Sequence, residues 1–433
     1  MRLCFIAHQA TKEGAGLFMV DQIDYLQRRG VTLYAILPSG GPLHDAMLER
    51  GVETAVVPSA WWIRPHWHES ADAYAEALTA ARRMAALMRG WAVDVAYTQT
   101  VVAPAGPIAA ALAGVPHIWH IHEFSYNPRA IEMGLSRAAL ARLIDLTSNF
   151  VFFNSQAVAG EWRDLIPGDK SRVVYNWVSP VADDAAPDIS DAVARSLIAD
   201  KAVCVAIIVG SIVPWKRQMD AVRAVGALLN EGLNVALLVV GPAVVPSFHA
   251  ELVAVVEQNG WANRIRFVGY VEHPRRLMRA AHVGLLCSDN EPFGRVTVES
   301  MAEGTPIIGT NSGGTAEIIT DGVDGLLFPV GDVARLTEQL RSVVQDAGLR
   351  ARLSTAARTR ANRYLGPESA MPPVVEILDT LAGRRNPVWP LGDMIARALG
   401  SELSNVTARD GIVERGRRLL RKLRDAARGA GRA

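Results

Sequence analysis

Short apolar runs alternate along this chain with stretches of helical apolar spacing, and that alternation restricts the fold more than any other feature. RLCFIA is followed by a helical pattern over 17–28 that stops at Gly30, then VTLYAIL, a helix near 43–50, and VETAVVP. This is the rhythm of βαβ units and of a parallel sheet. It continues through DVAYTQT, HIWHIH, FVFFNS and RVVYNW, breaks at the Asp-, Ala- and Pro-rich VADDAAPDISD, and restarts with AVCVAIIVG, NVALLVVG, IRFVGY, VGLLCS, TPIIGT and GLLFPV. The acidic stretch reads as a linker between two doubly wound α/β domains, expected over 1–187 and 188–365, with a crossover helix and tail over 366–433. A length of 433 residues allows two or three domains at about 150 residues each. Doubly wound sheets bind ligands beyond the carboxyl ends of their strands, so the polar residues just after the apolar runs are the candidates.

Charge narrows the partners. The formal net charge is +1, which gives no global field toward nucleic acid, but it is unevenly spread. Residues 414–433 carry net +6 and the rest of the chain −5. In this tail Ile412, Val413, Leu419, Leu420, Leu423, Ala426 and Ala427 recur at helical spacing among Arg and Lys. That pattern fits a basic amphipathic helix lying on anionic lipid, or equally a crossing or solvated terminal helix. Cys4, Cys204 and Cys287 are an odd three, each inside an apolar run, and point to reduced thiols in a cytoplasmic setting. The apolar N-terminal stretch is too short for a signal peptide. Residues 95–116 are uncharged and long enough to span a bilayer, yet Pro104, Pro107 and Pro116 favour strand, loop, helix and strand. The expected location is therefore cytoplasmic, with the tail a candidate for peripheral attachment to the inner face of the cell membrane.

The chemistry concentrates after VGLLCS. Asp289, Asn290, Glu291, Pro292, Phe293, Gly294 and Arg295 form a loop that feeds a helical pattern through Thr297, Val298, Met301 and Ala302. The first-turn amides, near Arg295 to Val298, offer N–H groups and a positive dipole to a diphosphate. Glu299, about one turn in, is placed to hold ribose hydroxyls, and Glu291, in the loop, to meet a hydroxyl-rich group beyond the phosphates. A surface-loop Glu and a helix-cap Glu would show the same spacing. A second feature favours the ligand reading: a strand ends at Gly210, and Ser211 leads to Lys216 and Arg217 before a helix from Met219. Two cations at such a turn can neutralise a leaving phosphate.

The segments GSIVPWKRQ, VGYV, SDNEPFGRVTVESMAEGTPIIGT, NSGGTAEII and DGVDGLLFPVGD resemble the retaining family 4 glycosyltransferases over nearly the whole second domain. The resemblance implies the GT-B fold, two Rossmann-like domains facing across a cleft, and a nucleotide-sugar substrate. Glu291 and Glu299 match the family's E-x7-E pair, the first contacting donor sugar and the second ribose. Lys216 matches its phosphate-binding Lys, and Gly269, Tyr270 and Val271 its loop near the base. Ser211 stands where the family often has Arg, so leaving-group charge would rest on Lys216, helped by Arg217. In the first domain Gly14 and Gly16 match the glycine-rich loop near the phosphate, and His122 the family's His near the donor sugar. His120 alternates with His122 on one face, so one of the two can be structural.

The implied reaction is transfer with retention by front-face attack, since no residue is an evident covalent nucleophile. No Asp-x-Asp motif stands near these residues, so neither metal nor cofactor is expected. Acceptor recognition is open: Trp61, Trp62 and Trp67 fall in a loop and suit stacking on a sugar, insertion at a membrane interface, or packing beneath the loop. The expected acceptor is a glycan or lipid-linked glycan. A non-catalytic nucleotide- or glycan-binding protein of the same fold, or a nucleotide-sugar epimerase, are the alternatives.

Overall fold

The computed structural model describes residues 1–12, 14–59, 61, 63–64, 73–124, 132–133, 137–179 and 189–388, and the structural statements below concern these. Two compact units are present, one built from Met1–Val174 with the chain from Met371 onward, the other from Tyr175–Ala370.

In the first unit the strands are β1 (Arg2–Ile6), β2 (Thr32–Leu37), β3 (Glu53–Val56), β4 (Ile63–Arg64), β5 (Val95–Gln99), β6 (His117–Ile121), β7 (Glu132–Met133), β8 (Phe150–Phe153) and β9 (Ser171–Val173). Seven of them form one parallel sheet in the order β3-β2-β1-β5-β6-β8-β9, and β4 pairs with β7 separately. The order reverses between β1 and β5, the switch point of a doubly wound sheet. Every residue of β5 and β6 is buried, as central strands covered on both faces must be. The following helix, Ala105–Ala113, lies close on the sheet because its residues are small. A Cβ on Gly106 would stand 2.5 Å from Thr98 Oγ1 and 3.1 Å from Ile6 Cγ2. Residues 95–116 are thus strand, loop and helix, as the prolines imply, and no helix among the described residues is long and apolar enough to cross a membrane.

The second unit holds β10 (Cys204–Val209), β11 (Val235–Val240), β12 (Ile265–Gly269), β13 (Val283–Leu286), β14 (Ile307–Thr310) and β15 (Leu326–Phe328). All are parallel, ordered β12-β11-β10-β13-β14-β15, with the switch point between β10 and β13. Cores form on both faces. Val222, Leu237, Phe328 and Leu336 fill one, while Val205, Leu238 and Leu277 belong to another. Asp191, from the acidic stretch, caps the helix Ala192–Ala199 by accepting from the Ala194 amide at 2.9 Å.

The units divide at 174/175 and 370/371, where composition placed 187/188 and 365/366. Contacts explain the shift. Tyr175 and Val178 pack into the second unit, with Val178 bridging Leu365. The helix Met371–Leu381 returns to the first unit, where Glu376 pairs with Arg172 at 2.9 Å. Just beyond it, the Asn149 and Asn386 amides exchange hydrogen bonds at 3.1 and 2.8 Å. The three cysteines are buried, none in a disulfide.

Candidate active site

At the switch point of the second unit, two adjacent strands deliver the groups that the sequence reading singled out. β10 runs into Gly210, whose φ of 145° suits glycine. The point a Cβ would occupy there lies 3.9 Å from Lys216 Cε, an ordinary contact, so the backbone angle rather than space calls for glycine. The chain then makes a 3-10 turn over Pro214–Lys216. Lys216 Nζ meets Glu291 Oε2 at 2.6 Å, both side chains largely covered. Strand order makes this contact, because β10 and β13 are neighbours although the two residues are 75 apart in sequence.

Glu291 is held through its backbone. Its carbonyl accepts from the Gly314 amide at 2.8 Å, and a Cβ on Gly313 would stand 2.2 Å from that same oxygen. A Cβ on Gly314 would lie 2.4 Å from the Phe293 carbonyl oxygen. The Gly-Gly pair after β14 therefore allows the Glu291–Phe293 loop to lie directly on backbone. Neither glycine was among the candidate residues; the Gly-Gly dipeptide just past an apolar run was the available signal. Phe293 is buried, and Gly294, at φ 94°, starts the helix Arg295–Ala302. Thr297 Oγ1 and Thr315 Oγ1 lie 3.2 and 3.4 Å from where a Gly294 Cβ would be, and each is buried with no hydrogen-bond partner. Buried hydroxyls of that kind are costly unless something completes them.

The remaining second-unit candidates divide by environment. Glu299 Oε1 accepts from Arg295 Nε at 2.8 Å, one helical turn apart, and Arg295 also donates to the Trp177 carbonyl at 3.4 Å. Val298 is core. Arg217 is held between carboxylates, at 2.6 Å from Asp220 and 3.2 Å from Asp289, and the Asp220 hydrogen bond raises its pKa. Its backbone sits in the left-handed region at φ 52°. Neither carboxylate was anticipated; the i,i+3 spacing of Asp220 was the available local signal, whereas nothing local marks Asp289. Ser211 uses its carbonyl to accept from Gln218 Nε2 at 2.9 Å. After β12, Gly269 has φ 78°, Tyr270 is 73% exposed and Val271 is partly buried against the core.

In the first unit, Gly14 and Gly16 do not form a loop, contrary to the sequence reading. They open the helix Gly14–Gln27, where a Cβ on Gly16 would stand 2.5 Å from the Thr11 carbonyl oxygen. Close approach of loop to helix is the reason for the glycine. His122 follows β6 and His120 lies in it, their rings stacked 4.2 Å apart with the Phe18 ring edge-on to both. His122 Nε2 bonds Gln99 Oε1, while its buried Nδ1 has no partner. His120 Nδ1 bonds the Tyr97 hydroxyl at 2.9 Å. Burial, then the neighbouring His120 and His8, hold the His122 pKa well below its ordinary value, so the ring is neutral. Beside it Glu123 accepts from the Val101 amide at 3.0 Å, and burial pushes its carboxyl up to about 7. Trp61 donates its indole N–H to the His8 carbonyl at 2.8 Å and packs partly buried on the core. Trp62, Trp67 and the basic tail lie outside the described residues.

Two family models match the chain in succession: Glycosyltransferase Family 4 over residues 13–181 and Glycosyl transferases group 1 over 193–360. The lipopolysaccharide core biosynthesis glycosyltransferase LpsE of Rhizobium meliloti (strain 1021) is 36% identical over 95 residues, 22% of this chain and 28% of that one. A D-inositol 3-phosphate glycosyltransferase of Jonesia denitrificans is 29% identical over 67% of this chain and 72% of its own length. The matched part spans 23% to 36% of the first curated relatives. Among solved structures, Anabaena Alr3699/HepE in complex with UDP-glucose shares the fold, with a TM-score of 0.71 at 20% identity over 88% of this chain and 100% of that chain. Two parallel sheets, each reversing strand order at its switch point, thus make this a GT-B-fold protein. Within that class the chain belongs to the family 4 glycosyltransferases, whose models it matches one after the other.

Proposed function

We propose that the protein transfers a sugar, with retention of configuration and without a metal ion, from a nucleoside-diphosphate sugar to a hydroxyl of a glycan or lipid-linked glycan. The observation that carries this reading is the Lys216–Glu291 contact of 2.6 Å at the switch point, beside the start of the helix Arg295–Ala302. As the bond from the anomeric carbon to the β-phosphate oxygen breaks, its electron pair goes to that oxygen, where Lys216 and the helix dipole stabilise the charge. Thr297 and Thr315 supply two hydroxyls there that otherwise lack partners. Glu291 accepts from sugar hydroxyls and Glu299 from the ribose. The acceptor oxygen bonds the anomeric carbon on the same face, and its proton passes to the departing phosphate oxygen. His122, neutral and with an uncommitted Nδ1, is assigned to hydrogen bonding with the donor sugar.

HepE is seen in complex with UDP-glucose, and LpsE is named for lipopolysaccharide core biosynthesis; both favour a nucleotide sugar and a glycan as substrates. Thermal-shift titration with UDP-, GDP-, ADP- and TDP-sugars identifies the donor, and transfer assays with and without EDTA are expected to give equal rates. Transfer that survives Glu291→Ala unchanged would show that the assigned site is wrong. Epimerised donor with no acceptor consumed would instead identify an epimerase. The basic tail is proposed to hold the protein at an anionic membrane surface, and deletion of 412–433 is expected to abolish sedimentation with phosphatidylglycerol vesicles. Undiminished sedimentation would remove the tail from that role.

A further inference from the structure

The chain enters the second unit at Tyr175 and leaves it at Ala370, and the residues next to both crossings are fastened to each other and to the Glu291 loop. The Val178 amide donates to the Tyr364 carbonyl at 2.9 Å, and the Gly366 amide to the Val178 carbonyl at 3.1 Å. The rings of Tyr175, Tyr364 and Phe293 form a closed triangle, with centroids 5.7, 5.8 and 6.1 Å apart. Phe293 lies two residues beyond Glu291 and immediately before Gly294, so its ring ties the crossings to the loop that carries one carboxylate. A second tie runs through polar groups: Tyr175 Oη donates to Glu317 Oε2 at 2.8 Å, the Glu317 amide to the Gly314 carbonyl at 3.1 Å, and the Gly314 amide to the Glu291 carbonyl at 2.8 Å. A third is Arg295, which spans the Trp177 carbonyl and Glu299.

We infer that Tyr175 and Tyr364 are positioning residues for the donor site, setting Glu291 and the helix start through Phe293 and thereby coupling donor occupancy to both chain crossings. This rests on the donor-site reading above. The argument is one of geometry: three ties converge on residues 291–295 from the two segments next to the crossings. Aromatic packing resists displacement, because a shifted ring leaves a void in a close-packed cluster. A nucleotide sugar that orders the Glu291 loop therefore orders residues 175–179 with it.

Amide hydrogen exchange on the full-length protein tests the coupling without any variant. With saturating nucleoside diphosphate, chosen from UDP, GDP, ADP and TDP by the thermal-shift panel, exchange is expected to slow at least fivefold in 291–296 and also in 175–179. Protection of 291–296 with none in 175–179 overturns the coupling and leaves the donor site standing. No protection in either segment, with any of the four, overturns both. In the Tyr175→Leu protein, exchange in 291–296 without ligand is expected to rise about tenfold and kcat to fall about tenfold. The Tyr175→Phe protein, which keeps the ring, should retain most of the activity. A Tyr175→Leu protein with a lowered Tm but unaltered kcat and unaltered exchange in 291–296 would mean that the ring is structural only.

Discussion

Lys216 and Glu291 satisfy each other at 2.6 Å, so a donor must enter where a cation and an anion are already paired. Leaving one partner of a largely covered pair unmatched costs about 1–3 kcal/mol of folding, whereas a preorganised donor at developing negative charge is worth about 10²–10³ in rate. Lys216→Ala is therefore expected to lower kcat by about two to three orders of magnitude while lowering Tm by several degrees. Steady-state kinetics beside calorimetry separates the two effects. The buried histidines make a second residue-scale prediction. Burial lowers His117 and His120 to about 3, His8 to about 4 and His122 well below its ordinary value, so each costs stability once the unfolded chain protonates below 6.5. Glu123, raised from 4.5 to about 7, acts the opposite way: the folded state binds its proton first. Between pH 6.5 and 4.5 the unfolded chain takes up protons on four histidines that the folded state leaves largely neutral, while the folded state already holds the one extra proton, on Glu123. Stability should thus fall as pH drops through that window. Urea midpoints followed by Trp119 and Trp162 fluorescence check the slope; a midpoint constant from pH 7 to 5 would contradict it.

At the scale of elements, loop-on-backbone contacts shape the site. Gly314 has an ordinary helical φ of −65°, so its need is for space alone: an added Cβ would meet the Phe293 carbonyl oxygen at 2.4 Å. Gly314→Ala is expected to keep the fold by circular dichroism and to lose at least tenfold in transfer by displacing Glu291. Unimpaired transfer would show that the loop tolerates the shift. Much at this scale was legible in the chain. Central strands buried on both faces must be apolar, which is why AVCVAIIVG and NVALLVVG read as strands and the switch point could be sought at their ends. Lys216 and Glu291 could be picked out as candidates because they lie in the segments that follow apolar runs, and Glu299 by its place in the next helix; the family resemblance supplied their roles. The course of Gly14–Gly16 was not legible, since glycine at a helix start and glycine in a loop look alike locally. Arg217 was only half legible, because Asp220 stands at i,i+3 spacing while Asp289 reaches it from another strand exit.

For the whole molecule, the two units have their own cores, and a ligand that binds only folded protein stabilises it by mass action. At one hundred times Kd, the preferred nucleoside diphosphate should add about 2.7 kcal/mol to the unfolding free energy of the second unit. Trp215 and Trp261 lie in that unit and Trp119 and Trp162 in the other, so single-tryptophan variants can assign the shift. A shift borne equally by the first unit would place the binding elsewhere. The sequence by itself determined the order of strands and helices, the two doubly wound units and the chemical types at the strand ends, because these follow from local periodicity and residue chemistry. Tertiary structure decided which of those groups meet. Parallel crossovers set residues 75 apart side by side, and close packing then paired Lys216 with Glu291, enclosed Arg217 between two carboxylates and fastened both chain crossings to Phe293. Such contacts depend on strand order and on the shape of neighbouring surfaces, and local sequence spacing carries neither.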